Sequence, residues 1–335
     1  MTHDYTFKTY IANGREYYEY SVNALTWTEH NELERCGQST IIKKDFPFPE
    51  SLLKLLYLDV WSLEPLTKKI EKALLNLYRT KEEQYAQEVL GYLDELASAH
   101  IYLELLRLDW RYRLQKARRE QYEHAFDQLP RKRITHIPSI VDRMQRQIIA
   151  LFDKALNLES GKKKSVSEKM VEYYNAEGGD TLNTFQFRPQ PMNFEVLGRK
   201  TFAEVLYPND IYDLIDYHLR ECVKREARLK VCKNCGRYFA ITGRSSAEYC
   251  DRVCDEKGRT CKDVGAIALW TMKRSEDEVF KVYRREYKKR FAWIKSGKIA
   301  PGLFYAWSEK AREKKAECEA GNITLKEFSE WLSQL

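Results

Sequence analysis

No apolar run in the chain approaches the roughly 18 residues that a membrane-crossing helix needs, which excludes a transmembrane helix. The first residues, Met1-Thr2-His3-Asp4, lack a basic stretch followed by an apolar one, so no secretory signal is expected. Only six histidines occur, which limits histidine-based catalysis and multi-histidine metal sites. Enzyme signatures are also missing: there is no glycine-rich phosphate loop, HExxH, nucleophile elbow or metal-carboxylate cluster. His218-Leu219-Arg220 hints at a recombinase pair but proves nothing alone. There is no internal repeat, sustained heptad or low-complexity tract. A non-enzymatic protein is expected, with an enzyme whose site is assembled from distant residues as the third-ranked reading.

What the chain does have is cysteine concentrated in one place. Cys232, Cys235, Cys250, Cys254 and Cys261 read C-x2-C-x14-C-x3-C-x6-C, a thiolate density suited to a closed tetrahedral zinc site. Cys36, Cys222 and Cys318 stand apart and read as isolated thiols. Two cysteines two residues apart grip an ion from a tight knuckle, and Gly236 supplies the backbone freedom needed after the second. Arg237 to Ile241 reads as a strand and Thr242 to Ser246 as a turn, after which Glu248-Tyr249-Cys250 returns with a third ligand. The fourth is Cys254 or Cys261, the latter just before an apolar helical run (Val264, Ile267, Ala268, Leu269). A knuckle, a hairpin and a closing helix make a treble-clef-like module in which Zn2+ is structural. Metal-bound thiolates in a chain without a visible signal favour a cytoplasmic setting. No βαβ pattern surrounds Cys232-x-x-Cys235, so a redox role is disfavoured.

Charge is the second asymmetry. The net charge is +7, yet residues 223–315 alone carry 25 Lys and Arg against 12 Asp and Glu. A basic module on a mildly acidic body suits a polyanion, with DNA or RNA the first expectation and a protein partner the alternative. Lys281 to Trp293 interleaves cations with Tyr and Trp, a pattern in which cations neutralise phosphates and rings stack on bases. Arg237, Arg244, Arg284, Arg285, Lys288, Lys289 and Arg290 are the candidate nucleic-acid contacts. The competing reading is an amphipathic helix with Tyr283, Tyr287 and Phe291 turned to a core. Arg131-Lys132-Arg133 and the stripe Trp110 to Arg119 read as solvated surface.

The remainder reads as mainly α. Residues 5–22 alternate around Asn13-Gly14, a β-hairpin signal with a type I′ turn, and a polar Pro-containing connection follows through Pro49. Three- and four-residue apolar steps predict helices over about 51–127, with Pro65 at an early break, and again over 139–158. The stretch Ser160–Ser165 reads as a loop, and 178–200 as an irregular crossing between domains. Helical order resumes near Asp210. Ser275-x-x-Glu278 and Thr324-x-x-Glu327 have capping-box form, and Pro301 and Gly321 bracket a further helix. The expected division is a hairpin and linker (1–50), a helical domain (51–200) and the zinc module with its flanking helices (201–335).

Thr201 to Pro208, Tyr217 to Cys222, Cys232 to Phe239, Tyr249-Cys250-Asp251 and Arg259 to Gly265 carry a resemblance. These segments resemble an uncharacterised bacterial family, a domain of unknown function with a C-terminal four-cysteine motif. The resemblance is close over Thr201 to Tyr287 and loose over the helical body. It implies Cys232, Cys235, Cys250 and Cys261 as the ligands, because the position of Cys254 varies in that pattern. The chain is also similar, more weakly, to CGNR-type zinc-finger proteins, in which the finger likewise follows a helical domain. Neither resemblance implies an activity. The expected function is therefore nucleic-acid binding or regulation by a zinc-stapled basic module, with an adaptor scaffold as the alternative.

Overall fold

A computed structural model describes residues 5–22, 25–27, 30, 33–35, 37, 39–159, 164–176, 182–198, 201–244, 246–265 and 277–334. The chain forms two compact units, one of residues 1–231 with 237–247, the other of residues 232–236 with 248–335. The boundaries expected at 50 and 200 do not coincide with this division. Among the described residues no helix is long and apolar enough to cross a membrane.

The first unit packs a sheet against helices. Strands β1 (Tyr5–Ala12) and β2 (Arg15–Val22) form the expected hairpin, paired from Ala12 with Arg15 to Tyr5 with Val22. Asn13 and Gly14 have φ of 51° and 72°, the left-handed pair a type I′ turn requires. Among the described residues, β3 (Leu25–Trp27) and β4 (Leu33–Arg35) pair with each other alone. The polar connection is in fact strand β5 (Thr40–Pro47), paired along the whole of β2. It is an edge strand rich in lysine, and its exposed cations made it look like a linker.

Helices follow: α1 (Glu50–Leu56), α2 (Glu64–Thr80, with Pro65 in its first turn), α3 (Glu83–Ser98) and α4 (Ile101–Arg119). Two short helices, α5 (Ala125–Gln128) and α6 (Lys132–Thr135), lead into α7 (Ile137–Leu151), which ends in a wider turn over Phe152–Leu156. α8 (Val166–Ala176) precedes β6 (Met192–Leu197), which falls within the irregular crossing expected over 178–200, and β7 (Thr201–Leu206). These strands complete an antiparallel sheet of order β5-β2-β1-β7-β6, so the expected hairpin is the core of a five-stranded sheet. The stretch 160–163 of the expected loop lies outside the described residues. α9 (Ile211–Lys224), capped by Asp210, then leads to β8 (Leu229–Val231) and β9 (Tyr238–Ala240).

Period-two alternation on β2 turns Glu16, Tyr18 and Tyr20 inward together. Tyr18 and Tyr20 join an apolar core with Leu52, Ile70, Leu93, Leu108 and Ile148. A buried carboxylate there needs partners, and Glu16 has them. It accepts from the Ser51 amide (2.6 Å), the Ser51 hydroxyl (2.5 Å) and the Tyr18 hydroxyl (3.0 Å). His218 Nε2 lies 3.1 Å from the same carboxylate, and its Nδ1 donates to the Leu214 carbonyl at 2.8 Å. The same Nε2 lies 2.8 Å from the Tyr18 hydroxyl. The Tyr102 hydroxyl of α4 meets the Ser51 hydroxyl at 3.0 Å, so this knot ties β2, α1, α4 and α9 at one point.

The second unit contains the cysteine loops and three helices, α10 (Glu278–Lys295), α11 (Pro301–Glu319) and α12 (Leu325–Ser333). Ala311, Phe328 and Leu332 form its buried centre, with Trp307 and Trp331 packed around them. Pro301 opens α11, Gly321 (φ 80°) follows its end, and Thr324 with Glu327 forms the expected capping box. Ser275 lies outside the described residues; the cap of α10 is Asp277, which accepts from the Phe280 amide at 2.9 Å.

A four-cysteine candidate metal centre

The knuckle forms because two local constraints coincide. The Gly236 amide donates to the Cys232 carbonyl at 2.9 Å, and Gly236 adopts φ 68°, closing the C-x-x-C turn where a side chain would be strained. The flanking hairpin differs from the expected one. β9 pairs with β8, upstream of the knuckle, rather than with Glu248-Tyr249-Cys250. Tyr238 explains the choice: its amide donates to the Tyr57 hydroxyl at 2.5 Å, and its own hydroxyl donates to Asp153. These contacts hold β9 in the body of the first unit. Glu248 still meets the knuckle, accepting from the Lys233 amide at 3.0 Å.

The other two cysteines come from a tight loop. Val253 bridges Thr260 in antiparallel fashion, and the Cys261 amide donates to the Arg252 carbonyl at 2.8 Å. Thr260 then caps a short helical turn, its amide and hydroxyl both donating to Asp263 at 2.8 and 2.7 Å. Cys261 is therefore the first residue of that turn and buried, whereas Cys254 is exposed with its thiol 3.4 Å from the Arg259 carbonyl.

The sulfurs of Cys232, Cys235, Cys250 and Cys261 all lie within 4.8 Å of one another. The Cys235 and Cys250 sulfurs are 3.7 Å apart, close to the edge of about 3.8 Å for a tetrahedron with zinc–sulfur bonds of about 2.3 Å. Donors are already aimed at sulfur. The Cys250 amide reaches Cys232 Sγ and the Asn234 side chain reaches Cys261 Sγ, each at 3.4 Å. Arg252 lies 3.6 Å from Cys250 Sγ and 3.9 Å from Cys235 Sγ, a cation beside a cluster that would carry two net negative charges around a divalent ion.

The thiols are unequal. Burial opposes the Cys232 thiolate, yet the amides of Cys235, Cys250 and Asn234 outweigh it and bring the pKa down to about 7. Burial and the neighbouring sulfurs of Cys232, Cys235 and Cys261 push Cys250 the other way. Four thiolates at this spacing would repel one another, and the arrangement is compatible with a metal ion held among the four sulfurs.

Residues 185–334 match the model of a family of unknown function, DUF6076. That stretch holds all four clustered cysteines and helices α9 to α12. No zinc-finger family is identified, so the CGNR parallel stays a likeness of the sequence alone. No curated protein and no solved structure matches the chain.

The candidate nucleic-acid contacts separate into three groups. Arg237 and Arg244 lie in the first unit, both exposed, with the Arg237 guanidinium over the Tyr57 ring at 5.2 Å. Arg290 is buried in the second unit, its guanidinium donating to the carbonyls of Leu332 (2.9 Å) and Gln334 (2.5 Å) and lying over the Trp307 ring. It ties α10 to the end of α12. Lys289 is exposed and paired with Glu286 at 3.3 Å. Arg284, Arg285 and Lys288 are exposed on α10. Tyr287 packs on Phe304 and Trp307, as the competing reading expected. Phe291 touches Phe304 with one edge and stays 44% exposed.

Proposed function

We propose that Cys232, Cys235, Cys250 and Cys261 hold one structural zinc ion and that the unit they brace binds nucleic acid through α10. The supporting observation is a stripe on that helix. Arg284, Lys288, Phe291 and Lys295 are spaced four, three and four residues apart, all exposed, with Arg285 beside them. That spacing places them on one face. Three cations around an exposed ring suit a phosphate backbone with a base laid against the ring.

The test is binding of labelled single- and double-stranded DNA and RNA at several salt concentrations. Three phosphate contacts predict a slope of log K on log salt of roughly −2 for a single strand and −2.7 for a duplex. Arg284→Gln, Lys288→Gln and Lys295→Gln together should flatten that slope while metal content stays at one equivalent. Absence of binding at low salt with every nucleic acid would sink the reading.

An adaptor role is the second reading, favoured by Leu303 and Tyr305, which are 69% and 64% exposed on α11. Large apolar side chains at that exposure suit a protein partner. On this reading the triple Gln variant keeps its partner, and Leu303→Ser with Tyr305→Ser loses it.

A further inference from the structure

A cavity of about 640 Å3 opens in the first unit, with no cysteine in its lining. Its walls are the start of β1, one face of α4, α6 with α7, and the turn before α9. Phe7, Leu105, Ile137, Val141 and Met144 make it apolar inside. The volume falls within the range of about 300–1,000 Å3 typical of small-molecule pockets, which combine apolar walls with a few convergent polar groups.

Most polar side chains here are already engaged. Asp109 is paired with Arg113 at 2.7 Å, and Asp210 caps α9 through the Asp213 amide at 3.0 Å. Thr6 bonds Ser21 at 2.7 Å, and Tyr207 donates to Glu195 at 2.6 Å. Arg133 differs. Its neighbour Arg131 is paired with Glu71, whereas Arg133 lines the cavity, exposed, with no carboxylate partner among the described residues. The basic run 131–133, which reads as plain solvated surface in the sequence, thus puts one unspent guanidinium beside an apolar chamber.

We propose that this cavity binds a small anionic amphiphile, a carboxylate carried on an apolar chain or ring. The carboxylate pairs with Arg133 through two parallel N–H···O bonds, a geometry guanidinium favours. The apolar part lies against Ile137, Val141 and Met144. Cationic amphiphiles are disfavoured because both lining carboxylates are already neutralised, one by an arginine and one by a helix N-terminus.

Decanoate, decan-1-ol and decylamine share one chain and differ in head-group charge, and calorimetric titration of the full-length protein with each is the test. The proposal expects decanoate to bind at least about tenfold more tightly than the alcohol, the usual weight of a charge-assisted hydrogen bond, and the amine to bind least. Arg133→Gln should remove that preference without lowering the melting temperature, since the side chain is exposed. Ile140→Trp, placed at the partly open rim, should block all three ligands. No binding of decanoate, equal binding of acid and alcohol, or decanoate binding indifferent to both substitutions would each overturn the proposal.

Discussion

Cys254 and Cys261 are chemically the same and differ only in what surrounds them. Cys254 sits on the outer side of a tight loop, and Cys261 opens a capped helical turn facing the other three sulfurs. Cys261→Ser should therefore drop bound zinc well below one equivalent by elemental analysis, and Cys254→Ser should leave it unchanged. Reversed outcomes would move the fourth ligand to Cys254. His100 gives a second test at this scale. Its Nδ1 accepts from the Tyr102 amide (3.2 Å) and its Nε2 donates to the Ser51 carbonyl (3.0 Å), which fixes the neutral tautomer. Burial lowers its pKa to about 4; the Ser51 carbonyl and Glu16 pull upward, Lys54 and His218 downward. An unfolded histidine takes up its proton near pH 6.5. The unfolded chain thus binds the extra proton first, and stability falls as pH drops from about 6.5 toward 4. From pH 7 to pH 5 this one group costs about 2 kcal/mol. Denaturant unfolding of wild type and His100→Gln at both pH values reads the difference, and identical pH dependence would show that burial leaves the His100 pKa where it is in the unfolded chain.

At the scale of elements, legibility follows how local the determining physics is. The Asn13-Gly14 turn, the Thr324–Glu327 capping box and the Pro301 and Gly321 boundaries are each decided by residues within a few positions, and all three are present. The capping box supports a concrete expectation. Thr324→Ala removes an acceptor for the Glu327 amide and should cost about 1 kcal/mol in the second unit, read as fraying of α12 by amide exchange. Strands β6 and β7 were not legible, because their pairing depends on β1, nearly two hundred residues upstream. Their outer face carries Phe194, Val196 and Phe202 into solvent, which erases the alternation that marks a half-buried strand. The partner of β9 was missed for a related reason. Tyr57 and Asp153, which hold Tyr238, are distant in sequence and invisible to local pattern. The cysteine spacing restricted the candidate site to five sulfurs, and only the loop geometry around Thr260 separates Cys261 from Cys254.

Across the whole molecule, the two units depend on different forces. The first has an extensive apolar core and a satisfied buried polar knot around Glu16. The second has a small apolar centre, and its cysteine loops contribute little besides sulfur and short turns. A small core of that kind is marginal alone, and structural zinc in such peptides contributes about 10–16 kcal/mol of apparent binding free energy at neutral pH. Chelation should therefore act unevenly. With a strong zinc chelator, exchange should accelerate at the amides of Gly236, Cys250, Cys261 and Lys262, whose hydrogen bonds lie within the cysteine loops. Amides in α2 to α4 should keep their protection, because no metal ligand contributes to that core. Uniform loss of protection would make zinc a determinant of the entire fold, and no change anywhere would remove the metal from the account.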